Sequence, residues 1–570
     1  MRTKKTAGFL ALVLCVVFIF TACGTKLPGT DGGTSGSTGN STRDTIPYSE
    51  MAYERPDVAG MKTRMAEVTA DVQNAGSIDD ILTVEKEVDA LYSNFYTMRT
   101  LAMLKKYHDV NDTYFEEEYR TLDEASVELS NLVNDYNRAI VEGPHADAYR
   151  DKVGAYVYQS IVDGLRLNSS AVEAYKKERN QLNTDYNKML TTATVTYDGV
   201  EYTMADINAL GGMDYYMLLS EYYSQNAPAF GELYVKMIEL DKQTASTLGF
   251  DSPADMYYLG YTRDYSPADA LQLCTESKRL FVPLLEDVYG TSYNAGQVQM
   301  QAAMNQMPAA LAEVDAELAE AWSFMTEYGL YDLAPSAGKQ DGVGFTTELY
   351  GWDAPFIFFY WTDDFASTTT LMHEFGHFYD DWLRYDTTVV GNLDIAETYS
   401  QGLELLMHKQ YGDFTMYGEE ATMASLQDFM NVLTYQSLLE EFQQTIYSMD
   451  NLDYIAIGQV YGQLLEDYGF GSYFADDNGS DGSWFQVTHL FDAPFYTISY
   501  VTSAVSALQI WAESQQDWDA AVDTYMKLIR ADQNQPFTDL LASAGLKAPH
   551  ETAVLEEIAG YFVDVFGPQG

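Results

Sequence analysis

The sequence predicts a mostly α-helical fold with a small β-sheet. Along much of the 570-residue chain, apolar residues recur three and four positions apart, as on the buried face of a helix. The clearest runs are Val84, Val88, Leu91, Phe95 and Met98, and then Leu122, Leu129, Val133 and Tyr136. Two short segments, 193–202 and 354–360, have the composition of strands instead. Long antiparallel helices with a minor sheet are therefore expected.

Two local signals place boundaries in the first part of the chain. Ser77 stands just before the first apolar run, where an N-cap is expected. Further on, Asp198 and Gly199 lie between alternating residues and predict a β-hairpin with a two-residue turn over 193–202. We expect this hairpin to separate an N-terminal helical region, residues 46–200, from a second region, residues 201–570.

The segment from His373 to His377 carries the strongest chemical signal. Because a helix has 3.6 residues per turn, two imidazoles four residues apart share a face and can reach one zinc ion at about 2.0–2.1 Å. Glu374 lies beside the first histidine, where it can act as a general base. Apolar neighbours such as Phe375 support a helix that begins near Ser367. A buried helix with two satisfied histidines is the alternative, but the chain has only 7 histidines, so this spacing rarely arises by chance.

A catalytic zinc ion needs a third protein ligand and one open position. Glu397 is the preferred third ligand, because the turn-rich loop 386–392 lets the chain fold back into a second helix. Glu404 falls two turns later on the same face, where it can orient a histidine, with a solvated helix position as the alternative. Asp380 lies about 10.5 Å along the first helix from His373, too far to be a ligand, although it could contact one.

These residues resemble the core of the oligoendopeptidase F family, relatives of thimet oligopeptidase. The resemblance rests on 373–377, on 397–404 and on 489–500, which has the family's His, Pro-Phe-Tyr and Tyr pattern. Residues 51–57 resemble its N-terminal entry segment, so the similarity runs from about residue 46 to the C-terminus. It implies a helical, bowl-like, two-lobed zincin-type metallopeptidase with a deep substrate channel, a small sheet near the site and its catalytic region at 201–570.

The resemblance also implies an activity, that of a zinc-dependent endopeptidase that hydrolyses short, unstructured peptides with one Zn²⁺ per chain. Zinc lowers the pKa of its bound water, and Glu374 takes the proton as general base. The tetrahedral intermediate then needs neutral donors for its oxyanion. By analogy with the family, Tyr500 and His489 supply them, with Tyr496 as the second choice.

In the family that the chain resembles, an edge strand of the small sheet pairs with the substrate backbone. This implies substrate contacts for the glycine-containing run 342–350 and the apolar run 354–360. The candidate residues are Gly342, Gly344, Phe356 and Phe358. For 354–360, a buried core strand is an equally supported alternative.

Two other functions stay open at this point. A catalytically silent peptide-binding lipoprotein would keep the fold without hydrolysing its ligand, and a carboxypeptidase-like member of the wider clan would trim C-termini. A binding protein has no need of the base Glu374, which favours the endopeptidase. Cleavage preference, peptide length limit, physiological substrate and oligomeric state do not follow from the sequence.

The first 22 residues resemble a bacterial lipoprotein signal peptide. Three basic residues precede an apolar run over 9–20 that is too short to span a bilayer, and small residues lead to Cys23. Residues 23–45 are rich in Gly, Ser and Thr and predict a flexible tether. We therefore expect export and a lipid anchor at Cys23 on the outer face of the cytoplasmic membrane, with a simple secretory signal as the alternative.

The charge of the chain restricts its partners. The 85 acidic and 32 basic residues give a formal net charge of −53, which excludes nucleic acid as a natural partner. The acidic residues are spread along the chain, so a solvated surface is favoured over attraction of cationic peptides. The aspartate-rich loop 476–482 lacks the full spacing of a helix-loop-helix calcium site, and calcium binding there is left open.

Overall fold

The computed structural model describes residues 43–288, 291–385 and 389–566. Over these residues the chain forms 23 α-helices and five β-strands, so the prediction of a mostly helical fold with a small sheet is confirmed. The first ten helices are α1 (Val58–Gln73), α2 (Ile78–His108), α3 (Thr113–Val141), α4 (Ala146–Val153), α5 (Ala155–Leu167), α6 (Glu173–Thr192), α7 (Met204–Asn208), α8 (Gly212–Leu248), α9 (Pro253–Gly260) and α10 (Pro267–Val288). The remaining helices are α11 (Met300–Val314), α12 (Ala316–Tyr328), α13 (Phe365–Leu383), α14 (Leu393–Leu406), α15 (Tyr411–Phe414), α16 (Gly418–Asn431), α17 (Ser437–Ser448), α18 (Tyr454–Asp467), α19 (His489–Asp492), α20 (Ile498–Ser514), α21 (Trp518–Ile529), α22 (Phe537–Ala544) and α23 (Thr552–Phe566). The strands are β1 (Thr194–Tyr197), β2 (Val200–Thr203), β3 (Tyr331–Asp332), β4 (Gly344–Leu349) and β5 (Ala354–Phe359).

The predicted N-cap and the predicted hairpin are both present. The Ser77 side chain accepts a hydrogen bond from Asp80 N at the start of α2. Strands β1 and β2 pair antiparallel around Asp198 and Gly199, whose φ angles are 50° and 78°. Two successive residues with positive φ are what a type I′ hairpin turn requires, and Asp-Gly is among the pairs that best adopt them.

The second sheet has the strand order β3-β5-β4. Strand β5 lies in the centre, parallel to β3 and antiparallel to β4, and all six of its residues are buried. Helix α13 packs against both β4 and β5. The sheet thus supports the helix that carries His373 and His377, as expected for a small sheet near the site.

Contacts divide the chain into two compact units, each built from three segments. The first unit comprises residues up to 165, 290–427 and 506–548. The second comprises 166–289, 428–505 and the residues from 549 onward. The predicted boundary at residue 200 separates an N-terminal helical region from a catalytic region. It divides the chain by function rather than by packing, and it stays a prediction.

The N-terminal prediction falls mostly outside the described residues. The signal peptide over 1–22, Cys23 and the tether up to residue 42 all lie there. Residues 43–45, the last three assigned to the tether, are described and contact other residues of the first unit. Thr45 Oγ1 donates to the carbonyl oxygen of Trp352 at 2.8 Å, and Arg43 stacks at 4.7 Å on the Trp382 ring. Among the helices that the structure describes, none is both long and apolar enough to cross a bilayer.

Helices α13 and α14 approach each other closely in the first unit. A Cβ atom at Gly376 would lie 2.6 Å from Ser400 Cα, closer than real Cβ atoms come to a backbone atom, and 3.1 Å from Tyr399 O. Gly376 is the one weak helix former in the 373–377 motif. Its place there is explained by the backbone of α14, which occupies the space of a side chain.

We expect Gly376→Ala to lower the free energy of unfolding by about 1–3 kcal/mol, because a methyl group there must push two helical backbones apart. Urea unfolding followed by circular dichroism measures this change. Gly164→Ala in α5 is the matched control, since nothing lies within 4 Å of its Cβ position. There alanine should leave stability unchanged or raise it. Equal effects at both positions would contradict the packing argument.

Candidate metal site

Three side chains from α13 and α14 converge in the first unit. His377 follows His373 by about one turn of α13, and Glu397 lies in the second turn of α14. The distance from His373 Nε2 to Glu397 Oε2 is 3.5 Å, and that from His377 Nε2 to the same oxygen is 3.8 Å. Their potential ligand atoms all lie within 4.8 Å of one another, and they are the one such His, Cys, Asp and Glu group found among the described residues.

This arrangement fits a tetrahedral zinc ion. Ligands about 2.0–2.2 Å from zinc lie about 3.4 Å apart along a tetrahedral edge, close to the two distances above. Glu397 is 1% exposed, and its Oε1 atom is buried with no hydrogen-bond partner among the described residues. An unpaired buried carboxylate oxygen is costly unless a cation or donor compensates it. The donor set therefore suits a divalent metal with one position left open.

Glu404 lies where the sequence predicts it, on the same face of α14 as Glu397. Its Oε2 atom is 3.6 Å from His373 Nδ1, on the side of the ring away from Glu397. Ser425 Oγ lies 3.4 Å from the other oxygen of Glu404 and 2.9 Å from His408 Nε2. Burial lowers the pKa of His373, but the contact with Glu404 and the nearby carboxylates raise it to about 9. The predicted orienting role of Glu404 stays a prediction. The sequence did not predict the contacts that Ser425 makes with Glu404 and His408.

Glu374 is fully buried beside the two histidines and is held by Thr346. The Thr346 hydroxyl lies 2.8 Å from both Glu374 Oε2 and the Glu374 carbonyl oxygen. Burial raises the pKa of the Glu374 carboxyl to about 7, although the charge of His373 and the Thr346 hydrogen bond lower it. A carboxyl group that titrates near neutral pH is suited to accept and return a proton. Sequence reasoning missed Thr346, because its partner lies 28 residues away.

The structure corrects the predicted substrate strand. Phe356 and Phe358 belong to β5, which is paired on both sides, and both side chains are 0% exposed. They are core residues, so the alternative of a buried strand is the correct one for 354–360. The two edge strands are β3 and β4, and each pairs only with β5 among the described strands. Gly344 opens β4 with its Cβ position 3.7 Å from Glu374 Oε1, and Gly342 lies two residues earlier with a φ of 74°.

Asp380 makes structural contacts near the C-terminal end of α13 rather than contacts with the histidines. Its carboxylate forms an ion pair with Arg384, the residue that follows α13, and accepts a hydrogen bond at 2.9 Å from the Gln533 amide. Burial raises the Asp380 pKa, and Arg384 lowers it. These contacts fasten the C-terminal end of α13 to the 530–535 segment.

His489, Tyr496 and Tyr500 form a cluster within the second unit. The rings of His489 and Tyr496 are 5.3 Å apart, as are those of Tyr496 and Tyr500, and the rings of His489 and Tyr500 are 6.3 Å apart. Burial lowers the pKa of His489 to about 4, so its imidazole is neutral at physiological pH. The three predicted donors are thus brought together, and their roles stay predictions.

The aspartate-rich loop 476–482 uses its carboxylates to hold its own backbone. Asp476 accepts hydrogen bonds from Asn478 N and Ser480 N, and Asp481 from Ser483 N. Carboxylates that are already bound to amide groups offer little to calcium, which needs six to eight oxygen ligands.

Comparison with known proteins gives two matching family models. The model described as peptidase M3 N-terminal domain matches residues 48–167, and the one described as peptidase family M3 matches residues 312–560. The second match contains the three candidate metal ligands and the 489–500 segment.

Individual relatives are more distant. The chain is similar to oligopeptidase PepF of Bacillus subtilis (strain 168), with 24% identity over 230 residues, 38% of this chain and 33% of the relative. The oligoendopeptidase F homolog of Borreliella burgdorferi is 21% identical over 252 residues, 40% of this chain and 42% of that protein. The matches therefore span less than half the length of these curated relatives. The solved structure of PZ peptidase A with an inhibitor has a TM-score of 0.77 and 23% identity, and covers 90% of this chain and 99% of that one. This likeness confirms the predicted fold class.

We expect Glu374→Gln to stabilise the metal-free protein more at pH 8 than at pH 5. The folded-state pKa near 7 lies above the unfolded value near 4.5, so the folded protein holds the extra proton between these values. Its stability therefore falls as the pH rises through this range, on the order of 3 kcal/mol by pH 8, and a neutral glutamine removes the loss. Urea unfolding at both pH values measures this difference.

The exposed Glu67 on α1 is the control for this pH effect. Its side chain is 58% exposed, so Glu67→Gln should show a much smaller difference between pH 5 and pH 8 than Glu374→Gln. A pH-independent effect of Glu374→Gln would show that Glu374 is ionised throughout.

Proposed function

Because the chain belongs to peptidase family M3, we propose that it is a zinc-dependent endopeptidase that hydrolyses short, unstructured peptides. One observation carries the proposal: two imidazoles and a buried carboxylate are arranged for zinc, with a second buried carboxyl group beside them. A protein that only bound peptides would have no use for that fourth group.

His373, His377 and Glu397 are the proposed ligands of one zinc ion per chain. When bound, zinc acts as a Lewis acid on the peptide carbonyl and lowers the pKa of water. Glu404 holds His373 from the far side of its ring, which fixes the nitrogen that faces Glu397.

Glu374 is the proposed general base. Thr346 fixes one of its oxygens, and Oε1 has no hydrogen-bond partner among the described residues. That oxygen is therefore available to take a proton from the attacking water. Its pKa near 7 also allows the same group to return the proton to the leaving amine.

His489 and Tyr500, with Tyr496 as the weaker candidate, are the proposed oxyanion and substrate donors. Their assignment rests on the family pattern in 489–500, and their mutual contacts in the second unit support it. The low pKa of His489 makes it a neutral donor, which stabilises an oxyanion without itself titrating near pH 7.

Strand β4 is the proposed site of substrate backbone pairing. It is one of the two edge strands of its sheet among the described strands, and it is the one that carries Gly344 and Thr346 next to Glu374. Backbone pairing gives affinity with little dependence on side chains, which suits an enzyme that cuts diverse short peptides.

We also propose that the protein is exported and held by lipid at Cys23 on the outer face of the bacterial cytoplasmic membrane. The support is the sequence pattern over residues 1–45 alone. Such placement would give the enzyme access to peptides outside the cytoplasm.

A library of short peptides incubated with the purified protein and analysed by mass spectrometry should show internal cuts. A chelator should abolish them, zinc should restore them, and Glu374→Gln should remove them even with zinc bound. Glu67→Gln is the matched control and should cut as the wild type does. C-terminal trimming alone would favour a carboxypeptidase, and bound zinc without any cleavage would favour a peptide-binding protein.

Tyr500→Phe should lower kcat by about 10²- to 10³-fold with little change in KM, because it removes a donor that acts mainly in the transition state. Steady-state kinetics on one peptide from the library measures both constants. Tyr473→Phe is the control, since Tyr473 is 59% exposed in the same unit. An unchanged kcat would exclude Tyr500 as an oxyanion donor.

Expression of the full chain in bacteria supplied with a labelled fatty acid should label the protein and place it in the membrane fraction. Cys23→Ala should remove the label and release the protein. Cys274→Ala is the control and should keep the label, because Cys274 is buried. Label that persists in Cys23→Ala would contradict the anchor.

A further inference from the structure

The segment that carries Tyr496 and Tyr500 contains a strained turn. Phe495 has a φ of 60°, in the left-handed region that residues with a Cβ atom rarely adopt. Phe495 is also fully buried, so the turn is not an exposed loop. A strained backbone persists only where its surroundings hold it, and such residues cluster at functional sites.

Arg263 holds this turn from the loop after α9. Its guanidinium donates from Nη1 to the Phe495 carbonyl oxygen at 2.8 Å and from Nη2 to the Tyr496 carbonyl oxygen at 3.3 Å. The same Nη2 donates to Ser499 Oγ at 2.8 Å, inside the first turn of α20. The planar guanidinium thus binds the strained Phe495, the predicted donor Tyr496, and Ser499, which precedes the predicted donor Tyr500.

Arg263 is itself fixed in place. It is 8% exposed, and its guanidinium lies 4.5 Å from the Tyr258 ring centre and 4.7 Å from that of Tyr261. Tyr258 also donates at 2.7 Å to the buried Glu440, which fixes its ring in turn. A buried arginine held between aromatic faces is a rigid support.

Two further side chains hold the same segment. Tyr261 Oη donates to the Pro494 carbonyl oxygen at 3.1 Å, and Gln443 Oε1 accepts from Phe495 N at 2.8 Å. The backbone groups around Phe495 are thus held by side chains of the same unit rather than by a helix or sheet. Among these holders, Arg263 alone reaches both sides of Tyr496.

We propose that Arg263 is a positioning residue of the reaction, which fixes the turn at Phe495 and thereby the Tyr496 and Tyr500 hydroxyls. The inference rests on the proposed function, because it gives these hydroxyls their role. Arg263 acts only through them. A displacement of about 1 Å at a catalytic group can cost about 100-fold in rate, so the shape of this turn matters to catalysis.

The test is a double-mutant cycle between Arg263→Lys and Tyr500→Phe. Lysine keeps the charge but cannot reach three acceptors with a planar fork. We expect Arg263→Lys to lower kcat by about 10- to 100-fold with KM within about twofold and zinc content unchanged. In the Tyr500→Phe background the same change should have a much smaller effect, because the group it positions is already absent.

Ser499→Ala removes only one of the three contacts and keeps the proposal testable if Arg263→Lys folds poorly. It should lower kcat in the same direction by a smaller factor, and hydrogen exchange over 489–500 should rise in both variants. Arg166→Met is the matched control: Arg166 donates to the Leu248 carbonyl oxygen at 2.9 Å and stacks on Phe250 in the same unit, away from any predicted donor. Its kcat should equal that of the wild type.

The outcomes separate this inference from the proposed function. Equal effects of Arg263→Lys with and without Tyr500→Phe, or unchanged exchange over 489–500, would overturn the positioning role while peptide cleavage by the wild type stands. If the wild type cuts no peptide at all, the proposed function fails first, and the positioning role fails with it.

Discussion

The close approach of α13 and α14 is the constraint on which the candidate site depends. The two helices can bring Glu397 within 3.5 Å of His373 only because Gly376 leaves room for the backbone at Ser400. A side chain at Gly376 would push the two backbones apart and so move the Glu397 carboxylate away from the imidazoles. The helix motif supplies two ligands, but the glycine inside it determines whether the third ligand is within reach.

Once this geometry is set, the site carries an electrostatic cost that a cation relieves. Glu374 and Glu397 are both buried, and burial raises the pKa of each. One oxygen of each, Glu374 Oε1 and Glu397 Oε1, is buried without a hydrogen-bond partner among the described residues. Bound zinc would neutralise Glu397 and favour the ionised form of Glu374 that a base requires. Burial of the two carboxyl groups therefore lowers stability without metal and favours the binding of a cation.

The sequence predicts best what depends on local periodicity. The 3.6-residue repeat puts His373 and His377 on one face of α13, and the turn-rich loop that precedes α14 suggested Glu397 as their partner. Strand order is not local, so the apolar run 354–360 predicts a strand without telling that β5 lies in the centre and β4 at the edge. Thr346 was missed for the same reason, because its hydrogen bond to Glu374 depends on how β4 packs on α13. The glycine within the helical motif, Gly376, is likewise explained only by its contact with Ser400, 24 residues away.

The two groups of functional residues are held by different physical means, and this determines how each fails. The proposed zinc ligands project from regular helices, whose backbone bonds persist when one side chain is changed. The proposed donors follow a strained turn whose backbone groups are satisfied by side chains such as Arg263 and Gln443. Loss of one such side chain leaves a buried carbonyl or amide group unpaired, and the strain at Phe495 is then free to relax. Substitutions among these supports should therefore impair the donor group, whereas the candidate metal site is vulnerable mainly at its ligands and at Gly376.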